Sequence, residues 1–384
     1  MYLSNTLPYI ILFVLFSISA IGENGLPSRK SLNELLKYFI FISYTYFFCC
    51  RAFIAADWLY YYPYFEKAPT LFDGSGNIKI FLQNSLFEKG YAFYNILLKT
   101  IYPNYLFLQF VSAFIDFLIL HYFFKQYIPR YYILGWALYL IFQGYVFEII
   151  ILRNAKSIML FLISIKYINQ KKPLKYFILN LLGLCFHTSA IFYLPIYFLG
   201  SIKRRPKIEI IVFFIGNIVY LLNIQWIKEI LFNLPILPGR AQSMLNIYLS
   251  SETFSSAYGL TIGYLERTFS FVLLYKYSFK LIDKDPKYRL FWYLFFLYIC
   301  IYLFCSEMSI LLERIPNLFV CSYWILYPCF YGSLKKDNKI LFILIFLFYG
   351  VLKTMSLMNA KWAFYENFLS SYSSPQYRKQ YLTY

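Results

Sequence analysis

Apolar residues fall into windows of roughly 18 to 25 residues, each long enough to cross a hydrocarbon core about 30 Å thick. Short clusters of Lys, Arg, Asn, Asp and Pro separate them. The pattern predicts spans at about 7–22, 36–53, 105–124, 131–150, 153–168, 174–200, 208–227, 259–280, 290–307, 315–333 and 340–358. The first window lacks a basic leader and a small-residue cleavage site, so it reads as a retained span. The expected fold is an all-α integral membrane protein with about 11–12 transmembrane segments, in a single polytopic membrane domain over residues 1–384.

The basic clusters orient the spans, because Lys and Arg hold short loops on the cytoplasmic side. Arg29 and Lys30, then Lys125 and Arg130, the Asn169–Pro173 turn, Lys280 to Lys287 and Lys335 to Lys339 all read as inner. The chain start then faces outward. Three further outward regions follow: a first loop at 54–104 with a short amphipathic or re-entrant helix at about 91–102, a second loop at 228–258, and a tail at 359–384. Residues 174–200 are flanked by lysines and arginines on both sides. A single crossing breaks the charge pattern, whereas two short helices meeting near Phe186-His187-Thr188-Ser189 preserve it. Non-helical backbone at that depth requires cover from protein or a water cavity.

Composition removes other classes. With 60% hydrophobic and 14% charged residues, a soluble globular domain is excluded. The net charge of +18 resembles a nucleic-acid signal until the basic residues are placed; most lie between spans, so no nucleic-acid partner is expected. The seven cysteines (Cys49, Cys50, Cys185, Cys300, Cys305, Cys321, Cys329) sit in apolar windows without zinc-like or disulfide spacing, and read as small core residues. No His and carboxylate spacing suits a metal, and no phosphate-binding glycine loop is present. No cofactor is expected.

Ionisable groups at a membrane boundary are costly and invite explanation. In this topology Arg51, Asp57, Glu88, Glu148, Arg153, His187, Arg240, Glu266, Arg267, Glu313 and Arg314 map to outer span ends or outer loops. Several guanidinium forks around one cavity suit a diphosphate or an anionic sugar, because they donate in pairs and do not titrate. Asp57 or Glu88 is then the candidate general base. Glu266-Arg267 and Glu313-Arg314 fit structural ion pairs or interfacial anchors equally well. His187 in isolation fits a hydrogen-bonded core histidine better than a catalytic one, and His121 fits only the former. Tyr60, Tyr61 and Tyr91 offer sugar-stacking faces or belong to an interfacial belt.

Taken in order, these elements resemble the EpsG family, relatives of Wzy-type polymerases of bacterial surface polysaccharides. The resemblance rests on Arg51 with Asp57 and Tyr61, Glu88-Lys89-Gly90-Tyr91 with Asn95, Arg153, Phe186-His187-Thr188-Ser189-Ala190, Tyr264-Leu265-Glu266-Arg267 and Glu313-Arg314. Ala56 stands where the family commonly has Gly, and Asn154 where it has Gln. The resemblance implies a membrane glycosyltransferase, with an architecture resembling C-type glycosyltransferases. It would join undecaprenyl-diphosphate-linked oligosaccharide repeat units into O-antigen, capsule or exopolysaccharide at the outer face of the cytoplasmic membrane. It further implies Asp57, Glu88, Arg153 and His187 as catalytic residues. Arg51, Tyr61, Tyr91, Asn154, Arg240, Glu266, Arg267 and Arg314 would bind substrate or diphosphate. Besides the bilayer, a chain-length regulator and a flippase are the implied partners.

The rival class is a transporter, a repeat-unit flippase. It would show two related halves and ionisable residues along a path to both faces, whereas here the charges collect on one side and no internal repeat is apparent.

Overall fold

The computed structural model describes residues 2–25, 30–233, 260–307 and 314–383, and among them regular structure is helical throughout. Among the described residues three helices are long and apolar enough to cross a membrane: Leu3–Glu23, Tyr105–Tyr127 and Lys336–Met358. With the shorter apolar helices Pro173–Leu184, Thr188–Leu199 and Tyr288–Phe304, they make this an all-α membrane protein.

In chain order the helices used below are α1 (Leu3–Gly25), α2 (Lys30–Tyr44), α3 (Trp58–Lys67), α4 (Ser75–Gln83), α5 (Lys89–Ile101), α6 (Tyr105–Tyr127), α7 (Tyr132–Tyr139), α8 (Leu152–Asn169), α9 (Pro173–Leu184), α10 (Pro206–Leu221), α11 (Ile262–Lys284), α12 (Tyr288–Phe304), α13 (Lys336–Met358) and α14 (Pro375–Thr383). Local chemistry sets several boundaries. Asn104 caps α6 by accepting from Leu106 N at 2.8 Å, and Thr261 caps α11 by accepting from Tyr264 N at 3.1 Å. Pro173 and Pro206 open α9 and α10, where the missing N–H costs nothing.

The chain divides into two compact units, Met1–Tyr197 with Tyr331–Tyr384, and Phe198–Phe330. In the first, α1 packs against α7 and α13, and α8 against α6 and α9. Its interior is aromatic: Trp136 lies 5.0 Å from Phe117 and 5.3 Å from Tyr44 between ring centroids, and Tyr9 meets Phe47 and Tyr145 edge-on. Two of its buried phenols find backbone acceptors, Tyr9 donating to Ala363 O at 2.8 Å and Tyr145 to Tyr9 O at 2.6 Å. In the second unit Phe213 stacks on Phe271 at 3.8 Å, and Arg204 grips Glu209 with Nε and Nη2 while lying over Phe279 and Trp292.

Several predicted spans depart from simple helices, among them 36–53, which turns into π geometry at Thr45–Cys49 and leaves the helix at Cys50. The window 131–150 is α7 followed by wider π turns at Leu140–Gly144 and Val146–Ile150, with the helix broken at Phe142 and Gln143, the latter at φ 80°. The window 174–200 is broken as the charge pattern requires: α9 ends at Leu184, and a 3-10 turn starts at Thr188.

The first loop is ordered, with α3, α4 and α5 in sequence, α5 ending before Pro103. The tail is ordered too. Residues 362–368 run antiparallel to 50–55, with Phe368 N bonded to Cys50 O, Ala52 N to Glu366 O and Ala55 N to Trp362 O at 3.0, 2.9 and 3.1 Å.

Candidate active site

The best-defined polar cluster lies where α5 begins, in the first unit. Gly90 sets it up. A Cβ there would stand 2.5 Å from Cys185 Cβ and 2.6 Å from Cys185 O, so only a bare Cα lets α5 meet the break after α9. Tyr91 N donates to Cys185 O at 3.2 Å. Glu88, one residue ahead of the helix, therefore faces the start of the 3-10 turn and accepts from Thr188 N at 3.4 Å through Oε1.

The other carboxylate oxygen of Glu88 is ion-paired with Arg153 Nη1, and both side chains keep 19% of their surface exposed. Arg153 enters from the first turn of α8. Its guanidinium lies 4.3 Å from the Phe87 ring centroid, and its Nε donates to Tyr61 Oη at 3.4 Å. Tyr61 and Tyr91 are 5% and 2% exposed. They form the wall behind Arg153 rather than open stacking faces, whereas Tyr60 is 73% exposed. Burial raises the Tyr61 phenol above its ordinary pKa, with Arg153 opposing, so Tyr61 stays a neutral hydroxyl beside the guanidinium.

A second chain of contacts joins the same elements. His187 is extended and caps the 3-10 turn, its Nδ1 accepting from Ser189 N at 3.2 Å and lying 2.7 Å from Ser189 Oγ. Ser189 Oγ donates to Asn154 Oδ1 at 2.7 Å, and Ser157 Oγ to the same oxygen at 3.1 Å. Glu88, Arg153, Asn154 and His187, expected from three separate places in the sequence, thus meet across α5, α8 and the break after α9. The cluster joins a carboxylate, a guanidinium and an imidazole without full burial, so it can bind an anion and hold or move a proton.

Asp57 is partly exposed and precedes α3, whose residues Tyr60 and Tyr61 donate backbone N–H to its carbonyl. Arg51 is buried, 1% exposed, with Nη1 donating to Phe48 O at 2.5 Å and Nη2 without a hydrogen-bond partner among the described residues. Arg378 of α14 anchors the same stretch through Nε to Phe53 O at 2.9 Å and Nη2 to Phe364 O at 2.5 Å.

In the second unit Arg267 lies over Tyr302 at 4.0 Å and Tyr298 at 5.2 Å and donates to Gly263 O at 2.8 Å. Glu266 is 4.0 Å away and accepts from Ser270 Oγ at 2.7 Å. Arg314 is exposed. Arg240 and Glu313, and most of the expected second loop, lie outside the described residues.

A family model described as the EpsG family matches residues 34–374. The chain belongs to the EpsG family. Neither the curated proteins nor the solved structures contain a match to it.

Within this EpsG-family chain, one of the two departures from the common pattern has a local account. Left-handed backbone occurs at Ala55, φ 68°, one residue before Ala56, where the family's glycine is expected. Asn154 keeps the amide oxygen that two serines use. Phe87 is a site partner that sequence reasoning did not single out, and Thr188 and Ser189, named there only as part of a motif, carried no assigned contact; only the fold shows which of their groups point inward. Asp116 and Lys156 are the larger omission. Lys156 pairs with Asp116 and donates to Ser112 O at 2.7 Å, both side chains nearly fully buried between α6 and α8. Their signal was present, since Asp116 stands mid-way along a 23-residue apolar helix. Glu148, expected at an outer tip, is fully buried and accepts from Tyr139 Oη at 2.5 Å. Cys185 is exposed rather than in the core.

Proposed function

We propose that the protein polymerises polyprenyl-diphosphate-linked oligosaccharide repeat units into O-antigen, capsule or exopolysaccharide, working at the outer face of the bacterial cytoplasmic membrane. The observation that carries this reading is the convergence of Glu88, Arg153, Asn154 and His187 within a chain matched to the EpsG family over nearly its whole length.

In the proposed reaction a hydroxyl oxygen of one lipid-linked unit bonds to the anomeric carbon of another, whose bond to the diphosphate oxygen breaks. The electron pair leaves with the polyprenyl diphosphate and the hydroxyl proton passes to a carboxylate. A fixed guanidinium lowers the barrier by meeting the charge that grows on the leaving group. Arg153 suits that role because Phe87 and Tyr61 fix its plane while part of its surface remains open. Glu88 already holds Arg153 and Thr188 N with its two oxygens, so we assign it to positioning and assign the proton to Asp57. His187 and Asn154 orient a phosphate or sugar oxygen. Arg51 is proposed to add positive charge for the diphosphate. Arg267 and Glu266, enclosed by tyrosines of their own unit, are proposed to hold the fold around their site.

The test is reconstitution of the purified protein in liposomes with lipid-linked repeat unit from the native host. The expected product is a ladder of longer lipid-linked glycans, reduced at least about a hundredfold in rate by Asp57→Asn and less by Glu88→Gln. Transbilayer movement of the lipid without any ladder would replace this reading with the flippase.

A further inference from the structure

Next to the Glu88–Arg153 cluster, the first loop encloses a cleft of about 710 Å³ between the end of α3 and α4, within the range of roughly 300–1,000 Å³ typical of ligand sites. Its lining combines two aromatic rings, Tyr64 and Phe81, with the polar side chains of Lys67, Asp73, Asn77 and Asn84. Aromatic faces accept the C–H face of a pyranose ring, while amide, carboxylate and ammonium groups pair with hydroxyls, which both donate and accept. One cation and one anion cancel, so the cleft has no net preference for a diphosphate. A neutral polyhydroxylated ligand fits this chemistry best.

The walls are fixed in advance of any ligand. Lys99 of α5 donates to the carbonyls of Phe65, Glu66 and Ala68 at 3.2, 2.7 and 2.8 Å, holding the last turn of α3. Thr100 Oγ1 accepts from Leu71 N at 2.8 Å, and Asp73 Oδ2 from Thr70 N at 2.6 Å, which sets the rim. Tyr64 Oη lies 2.6 Å from Ser85 Oγ, tying α3 to the chain after α4. By contrast, the Lys67 ammonium and the Asn84 side-chain amide, both on the exposed lining of the cleft, make no hydrogen bond with any described residue and remain for a ligand. Such preorganisation lowers the ordering cost of binding.

The cleft adjoins the reacting cluster. Tyr64 is 4.7 Å from Phe87, and Phe87 is the ring on which Arg153 lies. Leu71, Phe72, Ile80 and Leu86 around it are exposed, Phe72 to 86%, which suits a rim in contact with lipid.

We infer that the α3–α4 cleft is a glycan subsite, holding the neutral sugars of a repeat unit one aromatic layer from the bond being made. The assignment deepens the polymerase reading and rests on it for the identity of the glycan. Two assays separate the two claims. The first measures binding of the free repeat-unit oligosaccharide, released by mild acid from the host's lipid-linked precursor, to the purified full-length protein by saturation-transfer NMR and calorimetry. The second measures ladder formation in liposomes against precursor concentration. Asn84→Trp fills the cleft and Asn84→Ala removes one contact; the position is exposed, and a thermal melt checks that each variant is folded. The expected result is binding by the wild type that is weakened at least about tenfold in Asn84→Trp. Its half-saturating precursor concentration rises by a similar factor, with little change in the saturated rate, and Asn84→Ala falls between. Binding that Asn84→Trp abolishes, with no ladder from the wild type, would uphold the cleft and reject the polymerase. A ladder with unchanged concentration dependence in Asn84→Trp, or no oligosaccharide binding by the wild type at millimolar concentration, would overturn the subsite.

Discussion

Exchanging the charges of Arg153 and Glu88 separates two roles of one contact. If the pair only fastens α8 to the start of α5, reversing it in the double variant Glu88→Arg with Arg153→Glu should restore whatever either single change loses. With 19% of each side chain exposed, loss of one partner should cost about 1–3 kcal/mol, between the values for exposed and fully buried pairs. The double variant should recover most of that in a thermal melt yet form no glycan ladder, because the guanidinium then sits on the wrong element. Recovery of both properties would make the pair architectural. At the neighbouring position, Gly90→Ala should destabilise by about 1–3 kcal/mol through overpacking, since the new methyl meets the Cys185 carbonyl as well as its side chain. It should also lower activity by shifting Glu88 away from Thr188. An unchanged melting midpoint would show that α5 can withdraw freely. Spacing marked both residues as special but carried no sign of their partner: Phe186 to Ser189 lie roughly a hundred positions beyond Glu88, and only folding shows that a backbone N–H waits there.

At the scale of elements, the sequence announces what is written in charge and proline, and hides what depends on packing. The end of α5 at Pro103 and the break after α9 were legible, the first from a residue that ends helices and the second from lysines on both flanks. The π turns after α7 were not. Phe142 carries no breaking signal, and the left-handed residue is Gln143 rather than Gly144 beside it. The Asp116–Lys156 pair is the element-scale counterpart of the exposed cluster, joining the middle of α6 to the second turn of α8. Removing one partner leaves a buried charge. Asp116→Asn or Lys156→Met alone should therefore cost about 3–5 kcal/mol, while Asp116→Leu with Lys156→Met should be close to neutral. The measurement is the melting midpoint of the detergent-purified protein. If the double variant is no more stable than the singles, the pair also supports Glu148 and Tyr139 beside it.

Over the whole chain, the last residues complete a structure begun by the first. Tyr2 N donates to Asn359 Oδ1 at 2.7 Å, Asn5 Nδ2 to Ala360 O at 3.1 Å, and Asn367 Nδ2 to Tyr46 O at 2.7 Å. The start of α1 and the end of α2 are thus bound to the same tail that pairs with residues 50–55. Residues 359–384 are polar and aromatic in sequence, which fits a loose tail as well as a docked one. What distinguishes them is Arg378, 1% exposed, whose nitrogens cross to Phe53 O and Phe364 O. Burial lowers the Arg378 pKa from its ordinary value, yet a guanidinium stays charged at any working pH, so both are charge-assisted bonds worth about 1.5–3 kcal/mol each. Arg378→Met keeps the apolar stem and removes both. The expected outcome is a lower melting midpoint and faster proteolysis between residues 50 and 75, with a loss of polymerisation that tracks the loosening around Arg51. Arg378→Lys should retain one bond and fall between. Wild-type proteolysis with normal ladders in Arg378→Met would show that the strand-like pairing of 362–368 with 50–55 holds without α14, and would move the brace from the last helix to the backbone bonds themselves.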